Sequence, residues 1–331
     1  MTPTASIGVD FADARLEASV RGQLDAVESA LRVAVRSDDA FIAEAARYLV
    51  DAGGKRFRPL MTVLASHFGD AGAPQIVPAA VVVELTHLAT LYHDDVMDEA
   101  RVRRGADSAN ARWDNTVAIL TGDFLFARAS DILADLGPDA VRLQARTFER
   151  LVTGQIRETI GPAEGDDPIA HYLGVLAEKT GSLIATSAEF GAGFAGADPS
   201  TVDTLRRFGE QIGVAFQISD DILDIASEST ESGKTPGTDL REGVATLPVI
   251  YALRSAAASP RLRELVRRPL ADDAEHAEAL ALLRASTALD DARRTLYNYA
   301  DAARAMLDEL PNVPARAGFE ALTDRVIDRT G

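Results

Sequence analysis

Ile76-Val-Pro-Ala-Ala-Val-Val-Val-Glu-Leu-Thr-His-Leu-Ala-Thr-Leu-Tyr-His-Asp-Asp-Val-Met-Asp98 decides the fold. The stretch is apolar for most of its length, lacks strict alternation, contains no turn dipeptide and closes on three aspartates. Its length suits a helix rather than a strand. Glu84 and His87 interrupt the apolar run, so no window of ~18 apolar residues forms and no integral membrane segment is expected. Working outward, Leu16, Val20, Leu24, Val27 and Leu31 recur at three- and four-residue steps, the stripe of an amphipathic helix. Similar stripes run through 41–49, 60–67, 116–136, 140–159, 169–190, 202–227, 247–256, 274–283, 290–310 and 315–329. Turn signals such as Gly69-Asp-Ala-Gly-Ala-Pro74 and Gly161-Pro-Ala-Glu-Gly-Asp-Asp-Pro168 separate them. No alternating run bounded by hairpin dipeptides is present. The expected fold is all-α, with roughly a dozen helices. No Pro-, Gly- or Ser-rich linker divides the chain, so 1–331 reads as a single domain. The longest polar irregular stretch, 227–242, is expected to be a functional loop.

Composition excludes several functions. The 331 residues carry 34 basic and 51 acidic side chains, a net charge of −17. That argues against a nucleic-acid partner, which needs a basic face. There is no cysteine, hence no disulfide, thiolate metal site or cysteine nucleophile. The first twenty residues lack a basic stretch followed by an apolar core, so a soluble, cytoplasmic protein is expected. Lysine is scarce: only Lys55, Lys179 and Lys234 occur.

Two of the expected helices carry the same acidic pattern. One reads His93-Asp-Asp-Val-Met-Asp98, the other Gln217-Ile-Ser-Asp-Asp-Ile-Leu-Asp224. In each, aspartates fall at i, i+1 and i+4. Residues i and i+4 share a helix face at ~5–6 Å, so Asp94 with Asp98, and Asp220 with Asp224, aim two carboxylates at one spot. Like charges so placed repel unless a cation lies between them. Carboxylate oxygens without His or Cys suit Mg²⁺, which keeps waters and reaches substrate phosphates. The counterpart is cationic. Gly53-Gly-Lys-Arg-Phe-Arg-Pro59 sets Lys55, Arg56 and Arg58 beside flexible glycines, and Arg103-Arg104-Gly105 follows the first cluster. Guanidinium forks match phosphate oxygens in pairs, while lysine is a movable point charge. Adjacent Arg103 and Arg104 can point opposite ways and meet two anions. Together these features indicate two polyphosphates in one site.

At these residues the chain resembles the trans-isoprenyl diphosphate synthases, the polyprenyl synthetase family. The matching motifs are Gly53-Gly-Lys-Arg-Phe-Arg-Pro59, Asp94-Asp-Val-Met-Asp98 with Arg103-Arg-Gly105, Lys179-Thr-Gly181, Phe216-Gln-Ile-Ser-Asp-Asp-Ile-Leu-Asp224, Gly233-Lys234 and Thr246-Leu-Pro248, in the family's order. The end of the chain, Leu310-Pro311 and then a helix ending at Arg329, is similar to a weaker C-terminal pattern of the family. The resemblance implies an isoprenoid synthase-type bundle around a central active-site cavity, normally a homodimer. It implies condensation of isopentenyl diphosphate with an allylic prenyl diphosphate through a carbocation. Asp94, Asp98, Asp220 and Asp224 would be metal ligands, Asp95 and Asp221 would bind metal or metal waters, and about three Mg²⁺ ions would grip the allylic diphosphate. Arg103, Lys179 and Lys234 would complete that grip. Lys55, Arg58, His87 and Arg104 would hold isopentenyl diphosphate. Oxygens of Thr180 and Gln217, and the ring of Phe216, would face the cation.

One departure stands out. Many members carry a lysine in the stretch that here reads Gly243-Val-Ala-Thr-Leu-Pro248, where this chain has Val244. One diphosphate cation is then missing unless Arg241 substitutes. A class I terpene cyclase shares the fold and the first cluster, but its second motif begins Asn-Asp with Ser or Thr at i+4, and it needs no isopentenyl site. A non-catalytic partner subunit is expected to lose the aspartates, which are intact here. In the resembling family, product length is set below the first cluster. Ala89 and Thr90 are small there, with Thr86, Leu85 and Val82 further down. A floor moved from Ala89 to Leu85 deepens the pocket by about 6 Å, roughly one isoprene unit. The expected product is geranylgeranyl diphosphate or longer. Ala89→Phe should shorten it, as read by chromatographic sizing of the chains; an unchanged distribution would reject the pocket assignment.

Overall fold

A computed structural model of the chain describes residues 9–227 and 236–329. Lys234, with its neighbour Gly233, lies outside the described residues. The elements in order are α1 (Ala14–Ala34), α2 (Ala40–Asp51), α3 (Phe57–Ser66), α4 (Ile76–Met97), β1 (Val102–Arg103), β2 (Ala106–Asp107), α5 (Ala109–Arg112), α6 (Asn115–Leu136), α7 (Pro138–Ile160), α8 (Pro168–Leu176), a π-helical turn (Ala177–Gly181), α9 (Ser182–Phe194), α10 (Pro199–Ala226), α11 (Thr238–Glu242), α12 (Leu247–Arg254), α13 (Pro260–Leu265), α14 (Asp273–Arg284), α15 (Ala288–Leu307) and α16 (Pro314–Asp328). The all-α expectation holds. Local chemistry starts many of these helices: Asp13, Asp39, Asp114, Asp167 and Asp272 each accept a hydrogen bond from a first-turn backbone N–H.

Three features differ from the sequence reading. The stripe at 169–190 is not one helix, because the π-turn separates α8 from α9. Part of the polar stretch 227–242 is the short helix α11, bracketed by Gly237 and Gly243, both at positive φ. A small hairpin pairs Val102 with Asp107 and Arg103 with Ala106. It turns on Arg104 (φ 54°) and Gly105 (φ 79°), the two left-handed residues that a tight two-residue hairpin requires. Two-residue strands are too short to show alternation, and Arg-Gly is not a usual hairpin signal.

The chain falls into two compact units: Met1–Glu149 with Leu183–Gly209 and Leu307–Ala321, and Arg150–Ser182 with Glu210–Met306 and Leu322–Gly331. In the first, α4 is the central helix, packed by α1, α3 and α6. It is long and apolar enough to cross a membrane, yet most of it is buried within this protein. A helix apolar on every face is the core helix of such a unit. Phe319 packs edge-on against Phe208, with ring centroids 5.1 Å apart, and its ring is also 6.0 Å from that of Phe68.

In the second unit, α14 holds both flanks of the segment that follows α10. Arg284 donates to the Ile225 carbonyl at 2.7 Å, and the His276 ring meets the Gly237 carbonyl at 2.9 Å. A Cβ at Gly237 would run into that ring.

Helix α9 can approach α3 closely only because residue 191 is glycine, since a Cβ there would overlap the Thr62 carbonyl. Gly193, two residues on, has open space. Gly191→Ala should therefore destabilise by ~1–3 kcal/mol through overpacking. Gly193→Ala should be neutral or stabilise by up to ~1 kcal/mol through lower backbone entropy in the unfolded chain. Urea denaturation of the two variants measures both signs.

Candidate active site

The candidate residues divide between the two units. In the first, the loop before α3 bends through Gly53 and Gly54, both at positive φ. Arg56, left-handed at φ 47°, turns inward. It donates to Glu84 Oε1 at 2.8 Å and to the Val50 carbonyl at 2.9 Å, and it also pairs with Glu28. Arg56 is thus an internal anchor that pins the loop to α4. Arg104, at the hairpin turn, donates to the carbonyls of Leu49 and Gly53. Its guanidinium lies under Gly54, where a Cβ would sit 3.0 Å from it. The glycine pair and the Arg103-Arg104 pair, distant in sequence, meet here.

Lys55 is exposed on this loop and Arg58 is half-buried, its Nε enclosed without a hydrogen-bond partner. Burial pulls the Arg58 pKa down to about 10; Glu84 and Asp94 oppose the shift and Arg104 adds to it. His87, half-buried on α4, is held well below the usual imidazole range, first by burial and then by the charges of Arg58, Arg104, Arg56 and Arg103. It is therefore neutral at physiological pH. Four guanidinium groups thus act on this one imidazole.

The first aspartate cluster ends α4. The Asp98 N–H donates to the Asp94 carbonyl at 2.8 Å, which extends the helical turn and keeps the two residues on one face. Asp94 is half-buried and Asp98 exposed. Asp95 is fully buried and accepts from Arg103 Nε at 2.6 Å, while its Oδ2 has no hydrogen-bond partner. Burial raises the Asp95 pKa, against the pull of Arg103. Arg103 and Arg104 do point different ways, as the sequence suggested.

Below this cluster Leu85, Thr86 and Ala89 are buried, and Thr90 donates to the His87 carbonyl at 2.8 Å. Sequence reasoning missed Gln144 of α7. Its Nε2 donates to Thr86 Oγ1 at 2.9 Å, and Thr147 lies 2.6 Å from Thr186. Helix α7 therefore supplies a polar neighbour at the level of Thr86. The buried side of an amphipathic helix showed no signal that would single these residues out.

The second unit holds the other candidates. The π-turn carries Lys179 and Thr180. Gly154 of α7 admits it, since a Cβ there would come within 2.6 Å of the Lys179 nitrogen. π-Turns recur at functional sites because they re-aim side chains from a helix. Lys179 pairs with Glu158. Thr180 Oγ1 donates to Gln217 Oε1 at 3.4 Å, and Gln217 Nε2 donates to Asp221 Oδ1 at 3.0 Å. The Tyr172 hydroxyl donates to the other oxygen, Asp221 Oδ2. Burial pushes the Asp221 carboxyl up to about 7, although Tyr172 and Gln217 both favour its charged form.

Asp220 and Asp224 lie one turn apart on α10 and are half-buried. Asp220 pairs with Arg329, whose guanidinium also sits 5.0 Å from the Phe216 ring centroid. Asp224 Oδ1 accepts from the Thr238 N–H at 3.1 Å and Oδ2 from the Asp239 N–H at 3.3 Å, the first turn of α11. Arg241 is bound to Asp273 at 2.7 Å, and Val244 is exposed. Arg329 was legible only as the end of a weak C-terminal pattern, and Tyr172 carried no signal at all.

Among the described residues no three His, Asp or Glu side chains are gathered around a single point as metal ligands; the carboxylates come in pairs. Their chemistry nevertheless fits a hard divalent cation: the donors are all carboxylate, on helix faces, and Asp95 Oδ2 is an orphaned buried acceptor beside one pair.

The polyprenyl synthetase family model matches residues 39–283. A nonaprenyl diphosphate synthase from Mycobacterium tuberculosis is 52% identical over 99% of this chain and 98% of its own length. A dimethylallyltranstransferase from the same organism is 41% identical over 99% of both. A geranylgeranyl pyrophosphate synthase structure from Corynebacterium glutamicum, complexed with calcium and isoprenyl diphosphate, superposes with a TM-score of 0.86. It has 47% identity and covers 98% of this chain and 100% of that one. The chain belongs to the polyprenyl synthetase family and is a prenyltransferase, a trans-polyprenyl diphosphate synthase.

Proposed function

We propose that the protein condenses isopentenyl diphosphate with an allylic prenyl diphosphate to give a product of twenty carbons or more. The observation that carries the reading is the meeting of the Gly53–Gly54 loop with Arg104, Arg58 and His87. This cation-rich patch, on the unit that also carries Asp94 and Asp98, is a place for a second diphosphate, which a cyclase does not need. We read 1–331 as one functional domain, because no Pro-, Gly- or Ser-rich linker divides the chain.

Each residue then has a task. Lys55, Arg58 and Arg104 bind the isopentenyl diphosphate by charge-assisted hydrogen bonds, and neutral His87 offers an N–H donor. Arg103, held by Asp95, together with Lys179 and Lys234 orients the allylic diphosphate. Asp94, Asp98, Asp220 and Asp224 would hold about three Mg²⁺ ions, whose positive charge would stabilise the leaving diphosphate. As the allylic C–O bond ionises, the oxygens of Thr180 and Gln217 face the carbocation with fixed negative dipoles. The isopentenyl double bond attacks, and a proton leaves to the departing diphosphate. The Arg329 guanidinium already lies over the Phe216 ring, so Phe216 is a partner of Arg329 before it is a partner of substrate. Small Ala89 and Thr90 leave room for the growing chain, with Leu85 and the Thr86–Gln144 pair below them.

The reading includes a homodimer in the cytoplasm. Val152, Ile156 and Ile160 recur at four-residue steps along α7 and are exposed, Ile160 by 76%. Ile119 and Leu120 of α6 are exposed as well. A stripe of β-branched side chains left to water is an association face.

Two measurements test these readings. Labelled isopentenyl diphosphate with Mg²⁺ and each allylic primer of five to twenty carbons should give chains longer than fifteen carbons, and no condensation with any primer would defeat the reaction. Ile156→Asp should halve the mass seen by light scattering after size exclusion. A wild-type protein that already runs as a monomer would reject the dimer.

A further inference from the structure

Tyr172 is buried in the middle of α8, and its hydroxyl has one protein acceptor, Asp221 Oδ2. Asp221 is itself buried, and its other oxygen accepts from Gln217 Nε2 at 3.0 Å. Gln217 and Asp221 are one turn apart on α10, so their side chains share a face. The far end of the Gln217 amide, Oε1, accepts from Thr180 Oγ1 at 3.4 Å. Four side chains thus form one hydrogen-bonded series, all within the second unit.

We propose that Tyr172 is a positioning residue, which acts through Asp221 to hold the Gln217 amide with its carbonyl oxygen toward Thr180 and the reacting carbon. The argument is one of donor and acceptor inventory. A glutamine amide has two faces, an acceptor oxygen and a donor NH₂, and a 180° rotation exchanges them. Both Asp221 oxygens act as acceptors here, Oδ1 from Gln217 Nε2 and Oδ2 from the Tyr172 hydroxyl, so Asp221 meets the NH₂ end of the amide and leaves the oxygen end facing the other way. That orientation matters for a carbocation: the oxygen end stabilises positive charge, whereas the NH₂ end opposes it. Asp221 can impose the choice only if it does not rotate. The tyrosine hydroxyl, a donor from the opposite side, fixes its second oxygen. Tyr172 lies seven residues before Lys179, and the π-turn joins the two elements directly. One continuous helical segment therefore carries both the start of the series and its end at Thr180. Tyr172 touches neither diphosphate in this account, so its removal should slow the chemical step without loosening substrate.

The inference rests on the assignment of Gln217 to the carbocation, and a double-mutant cycle separates the two. Tyr172→Phe should lower kcat by roughly 10- to 100-fold, the scale of a misaligned catalytic group. KM for both diphosphates should stay within about twofold, and Tyr172→Phe should cost nothing further in a Gln217→Ala background. Asp221→Asn is the second variant if Tyr172→Phe melts early, and should show the same loss and the same absence of an added effect. A Tyr172→Phe enzyme within about twofold of wild-type kcat, or one whose loss multiplies in full with that of Gln217→Ala, overturns the positioning role. A Gln217→Ala enzyme with wild-type kcat overturns the assignment of Gln217 itself, and the positioning role with it.

Discussion

The structure is organised around a charge problem. Helix α4 is apolar on nearly all its faces and ends in three carboxylates, and α10 carries three more in its last two turns. Carboxylates in such places cannot be left uncompensated, since an isolated buried charge costs several kcal/mol. The protein answers with named partners: Arg103 for Asp95, Arg329 for Asp220, the first turn of α11 for Asp224, and Tyr172 with Gln217 for Asp221. Each answer fixes a piece of backbone. The hairpin, the C-terminal arginine, the start of α11 and the π-turn all sit where an aspartate requires them.

The two clusters divide their work in the same way. The middle aspartate of each is buried: Asp221 gives both oxygens to protein donors, and Asp95 gives one, to Arg103. The outer members lie half-buried or exposed on the helix face. Helical geometry imposes this split: residues i and i+4 share a face, whereas i+1 is turned by about 100° into the core. A single Asp-Asp-x-x-Asp pattern therefore encodes two functions, a pair of outward carboxylates and an inward one that holds a neighbouring side chain in place. The inward members are the reason that Arg103 and Gln217 have one orientation each.

This division also shows what the sequence could reveal. The all-α class was legible because helical periodicity is a local signal, and the cluster spacing was legible because i and i+4 are set by helix geometry alone. The hairpin at Val102–Asp107 was not, since two-residue strands leave no period to detect. Neither was the π-turn, whose extra residue hides inside a continuous apolar stripe from Ile169 to Phe190. The roles of Tyr172, Gln144 and Arg329 depend on contacts 49, 58 and 109 residues away in sequence. A single chain offers no pattern for such contacts. Glycine gave a partial hint: Gly53 and Gly54 were noticed as flexible, but what the second of them does is admit the Arg104 guanidinium.

The scarcity of lysine acquires a physical sense. Where the fold needs a fixed cation it uses arginine, with its fork on two or three protein acceptors, as for Arg56 with Glu28, Glu84 and the Val50 carbonyl. A planar, always-charged group suits that static task, and its several donors satisfy a buried acceptor set that an ammonium could not. Lysine is a point charge on a flexible stem, suited to following an anion that arrives, rearranges and leaves. Lys55 is exposed on its loop, and Lys179 sits on the π-turn against Glu158. At position 244, where the family resemblance leads one to expect another lysine, Val244 is exposed, and nearby Arg241 is bound to Asp273. Arg241 could take up the missing charge only by giving up that ion pair, which lies near the surface and so costs little to break.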